Sequence, residues 1–419
     1  MERYSEYKDS GVQWLGEIPG HWKTVRVKAL LSERVDKSDT GLEEPLSMSQ
    51  KYGIIPTREM DVVPNMASTY IGAKRVFKQD LVFNKLKAHL GVFAISKYDG
   101  LVSPDYAVYT PNERTYLPFM EYVFHTPLYI GEFTRKATGV AIGLTRLYTN
   151  GLFAVPFLYP PLSEQHSIVS YLDDKCGKID KMLEGKQKQI ELLAEMKQRI
   201  IADAVTRGLN PDVKMKATNI PWLPEIPEHW SCVKLKAFCK DNKEKNKGNI
   251  ESCVLSLSYG NVIVKQNVNF GLVPDNYESY QIVKPGYIIL RLTDLQNDHK
   301  SLRTGLVKNR GIITSAYVGL VVNNINDEYV HLLLHSYDVM KVFYGMGGGL
   351  RQSMSYQDIS NLYIPVPPLS EQLAIVSYIT DKTAKIDALT GKLQQEIESI
   401  KEYKQRLISD VVTGQIKVC

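Results

Sequence analysis

The chain has 419 residues, 44% of them apolar and 23% charged, with a formal net charge of +5. That length suits two or three domains with proper cores, and the mild positive charge permits a nucleic-acid partner without demanding one. No apolar run approaches a membrane span and the opening MERYSEYKDSG is no signal peptide; five cysteines without a CxxC pair indicate neither a zinc site nor a disulfide framework, so a reduced cytoplasm is expected.

The first landmark, WLGEIPGHWKTVRVKALL at 14–31, returns as WLPEIPEHWSCVKLKAF at 222–238. The shared Ile-Pro-x-His-Trp could form a binding loop. Alternatively Trp22 and Trp230 wedge the entry segment against its domain while His21 and His229 satisfy local hydrogen bonds. Each opening leads into a middle of short β-branched and aromatic runs broken by Gly, Pro and Asn, which predict strands: YIGAKRVFKQDLVFNKL at 70–86 against YQIVKPGYIILRL at 280–292, and LVSPDYAVYT at 101–110 against IITSAYVGLVV at 312–322. Helical periodicity follows at 117–133 and 327–344. A Gly-rich turn with a basic residue comes next, GVAIGLTRL at 139–147 and GMGGGLRQSM at 345–354. The scaffold repeats while its loops do not.

Each half closes on a long helix. PLSEQHSIVSYLDDKCGKIDKMLEGKQKQIELLAEMKQRIIADAVTR at 161–207 and its copy at 368–414 agree at about 25 of 47 positions, which marks a duplicated structural unit. Ser and Glu just after a Pro supply a cap and first-turn negative charge, and neither copy has an internal Pro. Leu172, Cys176, Ile179, Leu183, Lys186, Ile190, Leu193, Lys197, Ile200 and Ala204 step by four and three, as do their counterparts from Ile379 to Val411. This is a seam of spacing 3.5 on helices about 68 Å long. Two such stripes bury each other most simply; the alternative packs each on its own domain. The short linker at 208–222 leaves no room for a return along the rod, so the pairing should be antiparallel.

Catalytic signatures are missing. There is no cofactor loop or Asn/Asp-Pro-Pro-aromatic motif for a methyltransferase, no GxxxxGK[ST], no HExxH, and neither Pro104-Asp105 nor Pro274-Asp275 has the downstream Glu-x-Lys of a metal-dependent nuclease. No cofactor or metal is expected.

The duplicated PLSEQ-x-x-IVSY opening (161–171, 368–378), the KQR-[IL]-I-x-D-x-V-T ending (197–206, 404–413) and the paired Trp/Ile-Pro-x-His-Trp openings resemble the specificity subunit of type I restriction-modification systems. The resemblance covers essentially the whole chain. It implies an α+β fold with two similar α/β-type target-recognition domains, at 1–160 and 209–367. These are separated by two long antiparallel coiled-coil helices, at 161–208 and 368–419, in an internal pseudo-twofold repeat. It also implies one half of a split double-stranded DNA site per domain, a gap set by the helices, and chemistry from two methyltransferase (M) subunits with restriction (R) subunits outside them. No membrane is involved. No tetrapeptide repeat suggests a spacer of variable length.

Arg and Lys pair with guanine or phosphate, and Asn and Gln with adenine. The residue types at strand ends and Gly-rich turns therefore nominate Ser49, Gln50, Tyr52, Lys85, Lys87, His89 and Arg146 in the first domain. In the second they nominate Tyr259, Asn261, Arg291, Asp294, Gln296, Lys300, Arg303, Arg351, Gln352 and Ser353. Taken singly, each reads as a solvated surface residue before it reads as a base reader; Arg146 and Arg351 stand above the rest because they occupy matching places beside glycine turns. For partner docking, Tyr171 and Tyr378, and Met196 and Tyr403, recur in register beside the seam. The competing readings are a stand-alone DNA-binding or coiled-coil adaptor without methyltransferase partners, and an enzyme with an unrecognised site.

Overall fold

In the computed structural model the described residues are 2–61, 69–139, 145–265, 276–295, 302–346 and 353–418, and the side chain of His89 is outside them. They form two compact units, Met1–Lys186 with Gln395–Cys419 and Gln187–Gln394. Each unit holds one sheet-bearing segment, the start of the long helix that follows it and the end of the other long helix.

The units share one strand plan. At the centre of the first is an antiparallel sheet in the order Leu31–Glu33, Tyr106–Pro111, Leu81–Asn84, Phe93–Ile95. The second has Cys239–Asp241, Val318–Val322, Ile288–Leu290, Thr304–Leu306. Leu81 pairs with Tyr109 as Ile288 pairs with Leu320, so the register matches. Four two-stranded ribbons also correspond one to one, among them the hairpin Leu46–Ser49/Gly53–Pro56 with Leu255–Ser258/Asn261–Val264, and Lys74–Val76/Gly100–Val102 with Gln281–Val283/Gly311–Ile313.

The central strands are buried along their whole length because the sheet is covered on both faces. In the first unit Leu81 and Phe83 face the helices Leu117–Phe124 and Pro127–Lys136, while Val82 and Val108 face a smaller cluster with Met48 and Ile54 of the hairpin. In the second, Ile288 and Leu290 face the helix Asp327–Val339, while Ile289 meets Leu255 and Val262. The hairpin thus packs on the outer face of the sheet in both units, with its tip free to carry function.

The helices Leu162–Arg207 and Leu369–Val412 are continuous. The glutamine of PLSEQ sets their entry: Gln165 donates to the Pro160 carbonyl at 2.9 Å and Gln372 to that of Pro367 at 2.8 Å. The seam positions of the first helix are the half-buried and buried residues of their turns, and Ile379, Ile386, Leu393, Ile397, Leu407 and Val411 are buried in the second. The pairing is antiparallel within each unit. In the first, Lys404 reaches Asp180 at 2.6 Å and Lys186 pairs with Glu396. In the second, Lys197 reaches Asp387 at 2.7 Å while Ile201 and Val205 share a core with Ile375 and Ile379.

The Trp motifs are wedges. Trp22 and Trp230 are fully buried, and the neighbouring histidines grip the glutamate of PLSEQ: His21 to Glu164 at 2.8 Å, His229 to Glu371 at 2.7 Å. Each Trp also packs on the glycine that ends the other long helix. Gly414 has φ +76° and a Cβ there would lie 2.5 Å from Pro19 Cδ, while Gly208, at φ +79°, would meet Trp230 at 3.1 Å. Left-handed backbone and close packing both require glycine at these helix ends.

Candidate nucleic-acid interface

The hairpin tip and the strand-end loop meet in the first unit. Gln50 donates its side-chain amide to the Leu90 carbonyl, and Ser49 Oγ accepts from the Tyr52 amide at 3.1 Å. Tyr52 is exposed, bonded to Asp61 at 2.8 Å, with the Lys51 ammonium 4.4 Å above its ring. Lys87 is exposed and Lys85 half-buried. The Leu147 amide binds the Lys85 carbonyl at 3.0 Å, which brings Arg146 alongside, in an ion pair with Asp105 at 3.4 Å. Ser49, Gln50, Tyr52, Lys85, Lys87 and Arg146 are therefore drawn into one neighbourhood.

That neighbourhood contains a lysine that sequence reading passed over. Lys74 is nine-tenths buried and donates to the Tyr106 carbonyl at 2.7 Å. Burial, and then the charges of Lys85 and Lys37, push its ammonium below the usual lysine range, with Glu33 opposing. Lys37, Lys74 and Lys85 lie far apart in the chain, and strand pairing of Lys37 with Lys74 brings them together. Lys51, between two nominated residues, was missed although its neighbours flagged it. Other basic residues are committed to carboxylates: Arg34 grips Asp80 bidentately at 2.9 and 3.0 Å, and Arg75 holds Asp36 and Glu43. Ser38 and Arg75 hold the Glu43 carboxyl down at about 2.

In the second unit Tyr259 stands at the hairpin tip, 88% exposed and at φ +47°. Asn261 donates to the Tyr259 carbonyl at 3.2 Å. Gly260 lets the tip approach the next strand: a Cβ there would lie 3.1 Å from Leu302. Between hairpin and helices is a cleft of about 540 Å³ lined by Tyr259, Asn261, Lys308, Glu328 and His331. His331 Nε2 is buried with no hydrogen-bond partner among the described residues. Burial, and then His335, hold the imidazole down at about 4.

Arg291, Asp294 and Ser353 are gathered at the strand end, where the Met354 amide binds the Leu292 carbonyl at 2.8 Å. Arg303 corrects the expectation. It is fully buried, with its guanidinium on the carbonyls of Arg291, Thr293 and Asp294 at 3.1, 2.8 and 3.3 Å, so its side chain faces the protein interior and not the surface. In sequence, an arginine before a strand reads alike whether it points in or out. Gln296, Lys300, Arg351, Gln352 and the His89 side chain lie outside the described residues.

On the helices, Tyr171 is half-buried and Tyr378 exposed, each beneath a lysine one turn on, Lys175 and Lys382, at 5.5 Å. Met196 and Tyr403 are half exposed. Among the described residues no three His, Cys, Asp or Glu side chains converge as a metal site, and no helix is long and apolar enough to cross a membrane.

Comparison with known proteins agrees with this architecture. Residues 227–399 match the family model described as type I restriction modification DNA specificity domain. The putative type I restriction enzyme MjaX specificity subunit of Methanocaldococcus jannaschii is 24% identical over 432 residues, 96% of each chain. The MjaVIII specificity subunit of the same organism is 27% identical over 68% of this chain and 66% of its own. Among solved structures, a chain from work on the assembly and conformational transition of a type I R-M system superposes with a TM-score of 0.67 at 15% identity, covering 95% of this chain and 99% of its own. The HsdS subunit from Thermoanaerobacter tengcongensis gives 0.51 at 15% identity, over 95% and 98%. At those identities the structures speak for the fold; the duplicated motifs, the matched domain and the full-length relative make the chain similar to the specificity subunits of type I restriction-modification systems.

Proposed function

We propose that the chain is the DNA-recognition subunit of a type I restriction-modification complex, and that each of its two sheet-bearing segments, 1–160 and 209–367, reads one half of a bipartite DNA site. The observation that carries this reading is the same strand plan built twice, with the same hairpin on the same face of the sheet, and different chemistry at the two tips. A duplicated scaffold with unlike ends fits two unlike targets. Tyr52, Lys51, Lys85, Lys87 and Arg146 serve one half-site and Tyr259, Asn261, Arg291 and Asp294 the other, through phosphate contacts that position and base contacts that specify. The long segments 161–208 and 368–419 set the gap. Two methyltransferase subunits dock on faces that include Tyr171, Tyr378, Met196 and Tyr403, and restriction subunits add outside them in the cytoplasm. The chain itself supplies no catalysis.

A map of methylated bases in the native genome tests this. A split motif with a constant gap, lost when the gene is deleted, is the expected result; unchanged methylation would favour the adaptor reading. Inserting one heptad into both helices, at Lys186 and Leu393, keeps the seam and adds about 10 Å. The gap should then widen by about three base pairs. An unchanged gap would mean the helices do not set it.

A further inference from the structure

We infer that Arg303 is a positioning residue for base reading in the second unit, holding the loop that presents Arg291 and Asp294 in its reading shape; this rests on the DNA-recognition reading above.

The loop leaves the central strand at Leu290 and returns at Thr304. Across its neck the Arg291 amide binds the Arg303 carbonyl at 2.8 Å. Inside the neck the carbonyls of Arg291, Thr293 and Asp294 converge on one guanidinium. Three inward-facing carbonyls repel one another and are out of water, so they stay together only around a donor with several N–H groups in a fixed fork. Asp294 sits at φ +57°, a backbone conformation that a non-glycine residue keeps only when its surroundings hold it. The guanidinium is itself fixed from behind: Nε donates to the Tyr344 hydroxyl at 3.0 Å, and Cζ lies 5.2 Å from that ring's centre. The Arg303 amide donates to buried Asp338 at 2.6 Å.

The corresponding loop of the first unit closes its turns with its own backbone and, among the described residues, has no buried guanidinium inside it; side chains reach it at Asn84, which accepts from the Leu86 amide, and from Gln50 and His125 outside. There the Asn84 amide binds the Val92 carbonyl at 3.0 Å, matching Arg291 and Arg303. The Asn84 carbonyl accepts from Lys87, the Lys87 carbonyl from Leu90, and the Ala88 carbonyl from Gly91, at 2.9 to 3.0 Å. A loop that closes its own turns needs no internal cation, and the position of Arg303 is held by Val92. In the described part of the second loop, 291–295, one side chain gathers three carbonyls, and with them the direction of Arg291 and Asp294.

The test uses the full chain in complex with its methyltransferase partner and competition binding against the bipartite duplex, with each half-site scrambled in turn. Arg303→Met should lower discrimination at one half-site at least tenfold and change the other less than twofold. Arg303→Lys, which keeps the charge but not the fork, should recover only part of it. Hydrogen exchange of the 291–295 amides should quicken in both variants. Equal loss at both half-sites together with a lower Tm would assign Arg303 to folding alone and overturn the inference, as would unchanged discrimination in a folded variant. If neither variant folds, Tyr344→Phe removes a single bond to the guanidinium: a two- to fivefold loss confined to the same half-site supports the inference, and no change overturns it. A wild-type complex that prefers neither half-site would instead defeat the DNA-recognition reading itself.

Discussion

The two units place a buried polar side chain at the same spot and use different chemistry there. In the first, Lys74 begins the strand that pairs with Gly100–Val102 and donates to the Tyr106 carbonyl at 2.7 Å. In the second, Gln281 begins the matching strand and donates to Tyr317 at 2.7 Å and Thr314 at 3.1 Å, while its own oxygen accepts from Asn242 at 3.2 Å. Lys37 and Lys245 bridge to these residues in turn. The fold needs a donor to satisfy the carbonyl of an equivalent tyrosine, and it does not specify which one. A lysine adds a buried positive charge beside Lys85 and Lys37, offset in part by Glu33 at 3.8 Å; a glutamine leaves the second neutral. The common requirement is structural and the difference is available to function.

Replacement at these two positions should separate the units most strongly. Gln281→Leu strands the Tyr317 carbonyl and takes one bond each from Thr314, which keeps the Tyr317 amide, and from Asn242, which keeps the Ile282 carbonyl; it should cost about 3 kcal/mol, whereas Lys74→Met strands the Tyr106 carbonyl and loosens Glu33 and should cost about 2 kcal/mol. Lys74→Gln, importing the second unit's solution, should recover much of that loss while weakening non-specific DNA binding. Urea unfolding of the full chain checks the order, and equal losses would erase the distinction between the two pegs.

Acid should act on the units in opposite directions. The buried faces Phe119, Met120, Val123, Phe124 and Tyr329, Val330, Leu333, Leu334 match when the two domain helices are superposed, which makes Glu121 the counterpart of His331. His331 stays neutral in the fold down to about pH 4 because burial and the neighbouring His335 oppose its charging, and Lys308 opposes it too; the Thr304 backbone favours it. An unfolded histidine takes up its proton near 6.5. Acidification therefore favours the unfolded chain, and stability that is complete above pH 6.5 drains away toward pH 4, by about 2 kcal/mol at pH 5. Burial is also the main influence on Glu121, raising its carboxyl above 4.5, against the Ile95 amide, His125 and Lys97 and with Asp173. There the unfolded chain loses its proton first as pH rises, so acid relieves the first unit. Hydrogen exchange of the Asp327–Val339 amides, corrected for intrinsic rates, should lose protection between pH 7 and 5, and His331→Gln should flatten the response.

Sequence made the repeat visible because helices, Trp motifs and strand runs are encoded locally, and the function came with the resemblance those motifs carry. What it hid was equivalence between unlike residues. The letters pair the runs at 70–86 and 280–292, and at 117–133 and 327–344, but do not say that Lys74 and Gln281, or Glu121 and His331, occupy equivalent buried places; strand register and helix packing show that. Direction was hidden too. Strands buried on both faces lose the alternation that tells inside from outside, which is why Arg303 looked like a reader. The clustering of Tyr52, Lys85 and Arg146 required Gln50 to reach Leu90 and Leu147 to reach Lys85, pairings across long stretches of chain that periodicity does not record.

The smallest effect concerns the feature the units share most closely. Lys197 and Lys404 are seam residues at the same place in the two copies, and their partners Asp387 and Asp180, one residue past the seam, also occupy matching places. Had the helices paired in parallel and in register, the two lysines would face each other across the seam; antiparallel pairing gives each an aspartate. The pairs therefore act more on direction than on stability, because both aspartates are at least half exposed and solvent screens the attraction. Double-mutant cycles with Lys197→Met/Asp387→Asn and Lys404→Met/Asp180→Asn should each give a coupling of about 0.5 kcal/mol, falling with added salt. The two values should agree, unlike those at Lys74 and Gln281 or at Glu121 and His331. A coupling several times larger in one unit would mean the seam, too, has diverged, and that the strut is no longer the constant part of the molecule.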